Sequence, residues 1–235
     1  MLLSCFVAGG LFLAAAQRGG RLPGRDVWRV YGVEVATVGV VVAAALLGAT
    51  ALTVLAVALA IPSMREVHGA LRARGLPAFV LAAVVLYPAL GFAHLPLLGA
   101  SAGGGAVIYA FALAELNDVA AYLVGAAFGG RRIFGDLSPN KTLAGSVAGA
   151  LATLGASLGF GFLVPQLGVT QLLGAGLLVA GLGPAGDLIA SAMKRRGGVK
   201  DFGNAIPTQG GVFDVYDSFA LVAPGLHYYI AALGG

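Results

Sequence analysis

Apolar runs of helix length, separated by short polar stretches, repeat along the whole chain. Runs of this kind predict transmembrane α-helices, about eight of them. Their approximate limits are Leu2 to Ala16, Tyr31 to Leu47, Ala49 to Ser63, Pro77 to Leu97, Gly105 to Phe128, Leu143 to Val164, Thr170 to Met193 and Val215 to Ala232. Gly48 marks a tight turn between the second and third, which would also read as one long broken segment. Pro88 falls inside the fourth. Gly145, Gly149, Gly155, Gly159 and Gly161 predict close helix packing through small residues.

Composition agrees with the pattern. The 235 residues are 59% hydrophobic and only 10% charged, where a soluble domain carries about 25% charged residues. The expected class is therefore an all-α, polytopic integral membrane protein in one domain, 1–235. Residues 1–104 form N-terminal helices of no evident chemistry, and 105–235 carry the polar motifs. Leu3-Ser4-Cys5 has no basic region or long apolar run before it, so neither a cleavable leader nor a soluble domain is expected. One cysteine excludes a disulfide framework.

Charge placement orders the helices. All 14 Lys and Arg residues fall between predicted spans one and two, three and four, five and six, or seven and eight. Basic residues favour cytoplasmic loops, so these four connections are expected inside and both termini outside. The net charge of +4 is then a topology signal and does not point to nucleic acid.

One stretch breaks the apolar pattern, Gly186 to Asp217. It holds Asp187, Asp201, Asp214 and Asp217 together with Lys194, Arg195, Arg196 and Lys200. Asp187, Ser191 and Lys194 stand at i, i+4 and i+7 and share one helix face. A charged loop at the membrane surface would explain the bases, but topology makes no demand for acids. Carboxylates able to hold a divalent cation, beside bases able to hold phosphates, are the parts of a phosphoryl- or nucleotidyl-transfer site.

A second polar patch lies in the fifth span. Glu115, Asp118 and Tyr122 share a face there, as cavity-lining groups or as a helix–helix staple. Ser138-Pro139-Asn140-Lys141-Thr142 follows and offers hydroxyls and an ammonium to a phosphate, or else a helix cap by Ser138 or Thr142. Gly181 to Gly186 formally fits a dinucleotide fingerprint, but it follows a helix-length run and not a short strand. It reads better as a Gly/Pro break in the seventh helix beside Asp187. Arg65, Glu66 and His68 read as a solvated loop, and His94 and His227 as interfacial.

Ser191-x-Met193-Lys194-Arg195, Lys200-Asp201 and Pro207-x-Gln209-Gly210-Gly211-x-x-Asp214-x-x-Asp217 together resemble the C-terminal signature of the CDP-diacylglycerol synthases, or phosphatidate cytidylyltransferases. Asn117-Asp118, Tyr122, Phe128-Gly129 and Ser138 to Thr142 are similar to that family's upstream motif. The resemblance covers roughly residue 106 to the C-terminus.

It implies transfer of CMP from CTP to phosphatidate or a related phospholipid, assisted by magnesium and open to a second cation. It implies a catalytic group of Asp187, Asp214, Lys194, Lys200 and Gln209. Substrate contacts would come from Ser138, Lys141, Thr142, Asp118, Tyr122, Arg195, Asp201 and Ser191. Metal ligation would fall to Asp187, Asp214 and Asp217, with Asp118 near them. It further implies a bacterial-type inner membrane, a site facing the cytoplasm, and a chain able to form a homodimer.

Three positions depart from the family pattern. Gln209 stands where the family has His, Val215 where it has Arg, and Ala144 where it has Glu. Gln cannot carry a proton or a charge, and the other two changes remove a cation and a carboxylate. They define the rival reading, a relative that binds lipid or nucleotide without turnover or serves as a partner subunit. A small transporter would explain the charges of the fifth span but not the long signature.

Overall fold

The computed structural model describes residues 26–234, so the predicted first span lies outside the described residues. These residues form the helices α1 (Asp26–Leu47), α2 (Ala49–Leu71), α3 (Ala78–Phe92), α4 (His94–Ala102), α5 (Gly104–Phe128), α6 (Leu143–Gly159), α7 (Val169–Gly197), α8 (Val212–Tyr216) and α9 (Phe219–Ala232). A 3-10 turn, Gly161–Leu163, follows α6.

The protein is all-helical and integral to the membrane. Among the described residues four stretches are long and apolar enough to cross it: Ala49–Leu71, Ala78–Ala102, Gly104–Phe128 and Val169–Gly197. At 1.5 Å per residue, 23 residues of α2 reach about 35 Å, enough for the roughly 30 Å hydrocarbon core. Tyr31–Leu47, Leu143–Gly159 and Phe219–Ala232 are apolar but shorter. Lipid-facing apolar side chains such as Leu46, Phe79, Leu90, Leu151 and Leu177 are exposed on the outside.

α5 is the central helix. Its first half, Ala106 to Ala114, is buried at nearly every position, as expected of a helix surrounded by others. α1, α4, α6, α7 and α9 all pack against it. Small residues permit the closest approach. A Cβ on Gly149 would lie 2.8 Å from the Asn117 carbonyl oxygen, and one on Gly145 would lie 2.5 Å from that of Ala121. Gly161 sits equally tightly against Leu172, but Gly155 and Gly159 face open space and take no part in packing.

Polar side chains lock these helices where no water is available. Asn117 Nδ2 donates to Thr153 Oγ1 at 3.0 Å, and that hydroxyl donates to the Gly149 carbonyl at 2.8 Å. Tyr109 and Ser157 share a hydrogen bond of 2.5 Å, and Ser157 also donates to the Leu172 carbonyl. α5, α6 and α7 are thereby fixed as a rigid frame, because a broken polar pair in hydrocarbon finds no solvent partner.

Several expected limits shift. The fourth span divides at Ala93 into α3 and α4, yet the pair is continuous enough to cross as one stretch. The last span divides into α8 and α9 around Asp217 and Ser218. The sixth ends at Gly159, with the 3-10 turn after it.

Two expectations are overturned. α7 runs unbroken through Gly181 to Gly186 with Pro184 inside it, so there is no backbone break beside Asp187. Pro184 forfeits one backbone hydrogen bond, which the 29-residue helix carries without ending. Arg65, Glu66 and His68 are not in a loop: α2 continues through them to Leu71, and Glu66 accepts hydrogen bonds there from the backbone of Val212 and Phe213.

Candidate active site

Helix ends assemble the site. The C-terminal half of α5, the N-terminus of α6, the C-terminal half of α7 and the short α8 surround one cavity of about 390 Å³. Thr142 starts α6 as its N-cap, with its Oγ1 accepting from the Gly145 N–H at 3.1 Å. That cap aims the preceding turn into the cavity, so Ser138, Asn140, Lys141 and Thr142 all line it. Asp118 and Tyr122 reach it from α5, Asp187 and Lys194 from α7, Asp214 and Val215 from α8, and Asp217 from the α8–α9 junction.

The shared face of α7 is as the spacing predicts. Ser191 Oγ donates to Asp187 Oδ1 at 3.2 Å. The other Asp187 oxygen lies 2.5 Å from Lys141 Nζ, so the turn before α6 is tied to α7. Lys194 Nζ stands 3.0 Å from Asp214 Oδ1 and 3.8 Å from Asp217 Oδ2. It also lies 5.5 Å above the Phe202 ring.

Each aspartate has its own surroundings. Asp214 Oδ2 accepts from the Phe202 N–H at 2.7 Å and the Gly211 N–H at 2.8 Å, so this carboxylate folds the loop around it. Asp118 Oδ2 accepts from Ser218 Oγ at 3.1 Å. Asp217 Oδ1 accepts from the Ser218 N–H at 2.7 Å. Burial raises the Asp217 carboxyl well above its ordinary range and the Asp187 charge adds to this, while Lys194 opposes it.

Charge in the cavity does not balance. Among the described residues lining it, Glu115, Asp118, Asp187, Asp214 and Asp217 face only Lys141 and Lys194. An acid-rich cavity of oxygen donors attracts protons or hard cations, and polyanionic substrates enter it only with cations to neutralise them. Among the described residues no three acids stand close enough together to enclose a metal ion in this arrangement. Lys141 and Lys194 already occupy positions beside three of the carboxylates.

Not every expected site residue joins the cavity. Arg195, Lys200 and Asp201 are exposed and do not line it, and Ser191 acts through Asp187. Gln209 turns away: its Nε2 donates to Glu34 Oε2 of α1 at 2.7 Å. Its buried Oε1 has no partner among the described residues. Of the three departures from the family pattern, only Val215 lines the cavity. Sequence reasoning missed Ser218 and gave no role to Glu34 or Glu66. Glu34 was signalled by its place in an otherwise apolar helix, whereas Glu66, between Arg65 and His68, carried no signal beyond that of a solvated loop.

A family model for the cytidylyltransferase family matches residues 27–233. The chain belongs to that family. The match takes in most of the first hundred residues, well beyond the motifs after residue 106. Among curated proteins, the chain is 41% identical over 136 residues to the uncharacterized protein YnbB of Escherichia coli (strain K12), covering 58% of this chain and 46% of that one. It is 39% identical over 127 residues to the phosphatidate cytidylyltransferase of Bacillus subtilis (strain 168), covering 53% and 47%. It is 38% identical over 122 residues to that of Staphylococcus aureus (strain COL), covering 52% and 47%. The chain thus spans about half the length of the curated relatives it matches.

Proposed function

We propose that this protein transfers CMP from CTP to phosphatidate or a related phospholipid, giving CDP-diacylglycerol and pyrophosphate. One observation carries the reading: Asp118, Lys141, Asp187, Lys194, Asp214 and Asp217, from separate segments of a cytidylyltransferase family chain, line one cavity among membrane helices. A phosphate oxygen of the lipid attacks the α-phosphorus of CTP. The bond from that phosphorus to the bridging oxygen breaks, and pyrophosphate leaves. The lipid supplies the nucleophile, so no covalent catalyst is required.

The chain's work is to position two polyanions and to neutralise charge. Lys141 and Lys194 would turn from their aspartates to phosphate oxygens. Ser138, Asn140 and Thr142 offer hydrogen bonds at the same wall, and exposed Tyr122 stands at the mouth. Arg195, Lys200 and Asp201, outside the cavity, would meet the nucleotide as it enters. Asp187, Asp217, Asp118 and Asp214 would hold magnesium, which fits an all-oxygen donor set and the excess of carboxylates. When bound, it supplies Lewis-acid neutralisation of the phosphates. The proposed setting is a bacterial inner membrane, with the cavity open to the cytoplasm where CTP resides.

Val215 favours a second reading, because it places an apolar side chain in the cavity where the family signature has a cation. On that reading the protein binds nucleotide or lipid without turnover. Pyrophosphate release by the purified protein in micelles, with CTP, phosphatidate and magnesium, tests both. Release that depends on phosphatidate supports the transferase. CTP binding without release, across several phospholipids, selects the second reading.

A further inference from the structure

The helices before residue 104 carry no motif of the transferase signature, yet two of their acids reach into it. Glu66, near the end of α2, lies against the start of α8. Its Oε1 accepts from the Val212 N–H and its Oε2 from the Phe213 N–H, each at 2.9 Å. These are orphan donors of a helix N-terminus, which has no preceding turn to satisfy them. Glu34 of α1 accepts from Gln209 Nε2 at 2.7 Å. Between the two contacts lies the Gln209-Gly210-Gly211 turn, closed on itself by the Ile206 N–H to Gly210 carbonyl bond of 2.8 Å.

The glycines show how tightly Glu66 is seated. Gly211 has an ordinary extended conformation, φ −80 and ψ 175, so its backbone does not require glycine. A Cβ there would lie 2.6 Å from three atoms of the Glu66 carboxylate, which are its three nearest neighbours. Gly203 meets the same group, at 2.9 Å from Oε1. The carboxylate therefore fills a socket formed by two glycines and two N–H groups. α8, fixed this way, carries Asp214 and Val215 into the cavity and leads directly to Asp217.

We propose that Glu66 and Glu34 are positioning residues of the transferase site, clamping the Gln209 to Phe213 turn from two N-terminal helices so that Asp214 and Asp217 face the cavity. The catalytic part of this inference rests on the proposed function; the clamp itself does not. Neither glutamate lines the cavity beside Lys194 and the four aspartates, so neither is catalytic.

The test uses the full-length protein in micelles, with hydrogen exchange read over residues 203–216 and pyrophosphate release read in parallel. Glu66→Ala is expected to speed exchange across that segment at least about tenfold while α5 and α7 keep their protection. Glu66→Gln, with one acceptor left, should fall between it and the parent. Glu34→Ala should loosen residues 206–210 in the same way. In turnover, the Glu66 variants should lose kcat by roughly ten- to a hundredfold, the scale of a small misplacement, with KM for CTP little changed.

A second pair isolates the socket. Gly211→Ala alone should also free the segment, because its Cβ displaces Glu66. The double variant Gly211→Ala with Glu66→Ala should be no worse than Glu66→Ala, since the collision is gone. Unchanged exchange in Glu66→Ala, global loss of protection, or strictly additive damage in the double variant would each overturn the clamp. If the parent releases no pyrophosphate, the proposed function fails and exchange still decides the clamp.

Discussion

Lys141, in the turn before α6, and Asp187, on α7, meet at 2.5 Å between Nζ and Oδ2. Both are partly exposed, at 22% and 26% of their side-chain surface. The lysine therefore holds an oxygen of a carboxylate that is proposed to ligate magnesium. Lys141→Met should tighten Mn²⁺ binding, by about fivefold if the pair is worth ~1 kcal/mol at this exposure. The same change should weaken CTP binding, because the ammonium is also the proposed phosphate contact. Calorimetric titration of Mn²⁺ and CTP reads both. Weaker Mn²⁺ binding in the variant would contradict the competition.

Asp214 and Asp217 should fail in different ways. Asp214 satisfies two backbone N–H groups as well as Lys194. Asp214→Asn should therefore cost stability, ~1–3 kcal/mol, because an amide cannot accept at both oxygen positions. Among the described residues Asp217 is bonded to its own neighbour Ser218 and, at 3.8 Å, to Lys194. Asp217→Asn should leave thermal unfolding close to the parent and abolish magnesium-dependent CTP binding. Parallel melting and nucleotide-binding curves separate the two, and undiminished CTP binding in both variants would remove these carboxylates from the cation proposal.

Packing of α5 on α6 gives a contrast between two glycines. Gly149→Ala drives a Cβ to 2.8 Å from the Asn117 carbonyl oxygen and should destabilise by ~1–3 kcal/mol. Gly155→Ala meets nothing within 4 Å and should be neutral or stabilising, by up to ~1 kcal/mol from helix propensity. Thermal unfolding in one detergent ranks them.

Restoring the family residues should act unequally. Val215 lines the cavity, while Gln209 points to Glu34. A lost transition-state contact of this kind costs about 3 kcal/mol, on the order of a hundredfold in rate. Val215→Arg should recover most of whatever the pair recovers in phosphatidate-dependent pyrophosphate release. Gln209→His should add little, because its effect passes through the turn. If the double variant is slower than a brisk parent, Gln209 and Val215 are fitted parts of a working site.

Arg131 and Lys200 should both label from the cytoplasmic side when replaced by cysteine in a Cys5→Ser background. Cys5 is the one native cysteine, so the background is clean. External labelling at 200 would invert the proposed orientation.

Much of the fold was legible from the chain alone, because membrane helices must be continuous apolar runs that satisfy their own backbone. The Asp187, Ser191 and Lys194 face, and the choice of Thr142 as a possible cap, followed from helix periodicity and cap chemistry. Their residues lie within a few positions of one another, and local geometry decides such relations. The family signature marked the acids and bases of residues 186–217 in the same local way.

Tertiary structure decided which of these groups meet. Nothing in the spacing pairs Lys141 with Asp187, or turns Gln209 away from the cavity toward Glu34. It also decided that Gly211 serves a close approach and Gly155 does not. The clearest case is Glu66, which appears in sequence as one acid beside one base. Its partners are backbone N–H groups 146 and 147 residues away. Every residue but proline carries that donor, so no residue type announces the contact. Only the packing of α2 against α8 puts two unsatisfied donors within its reach.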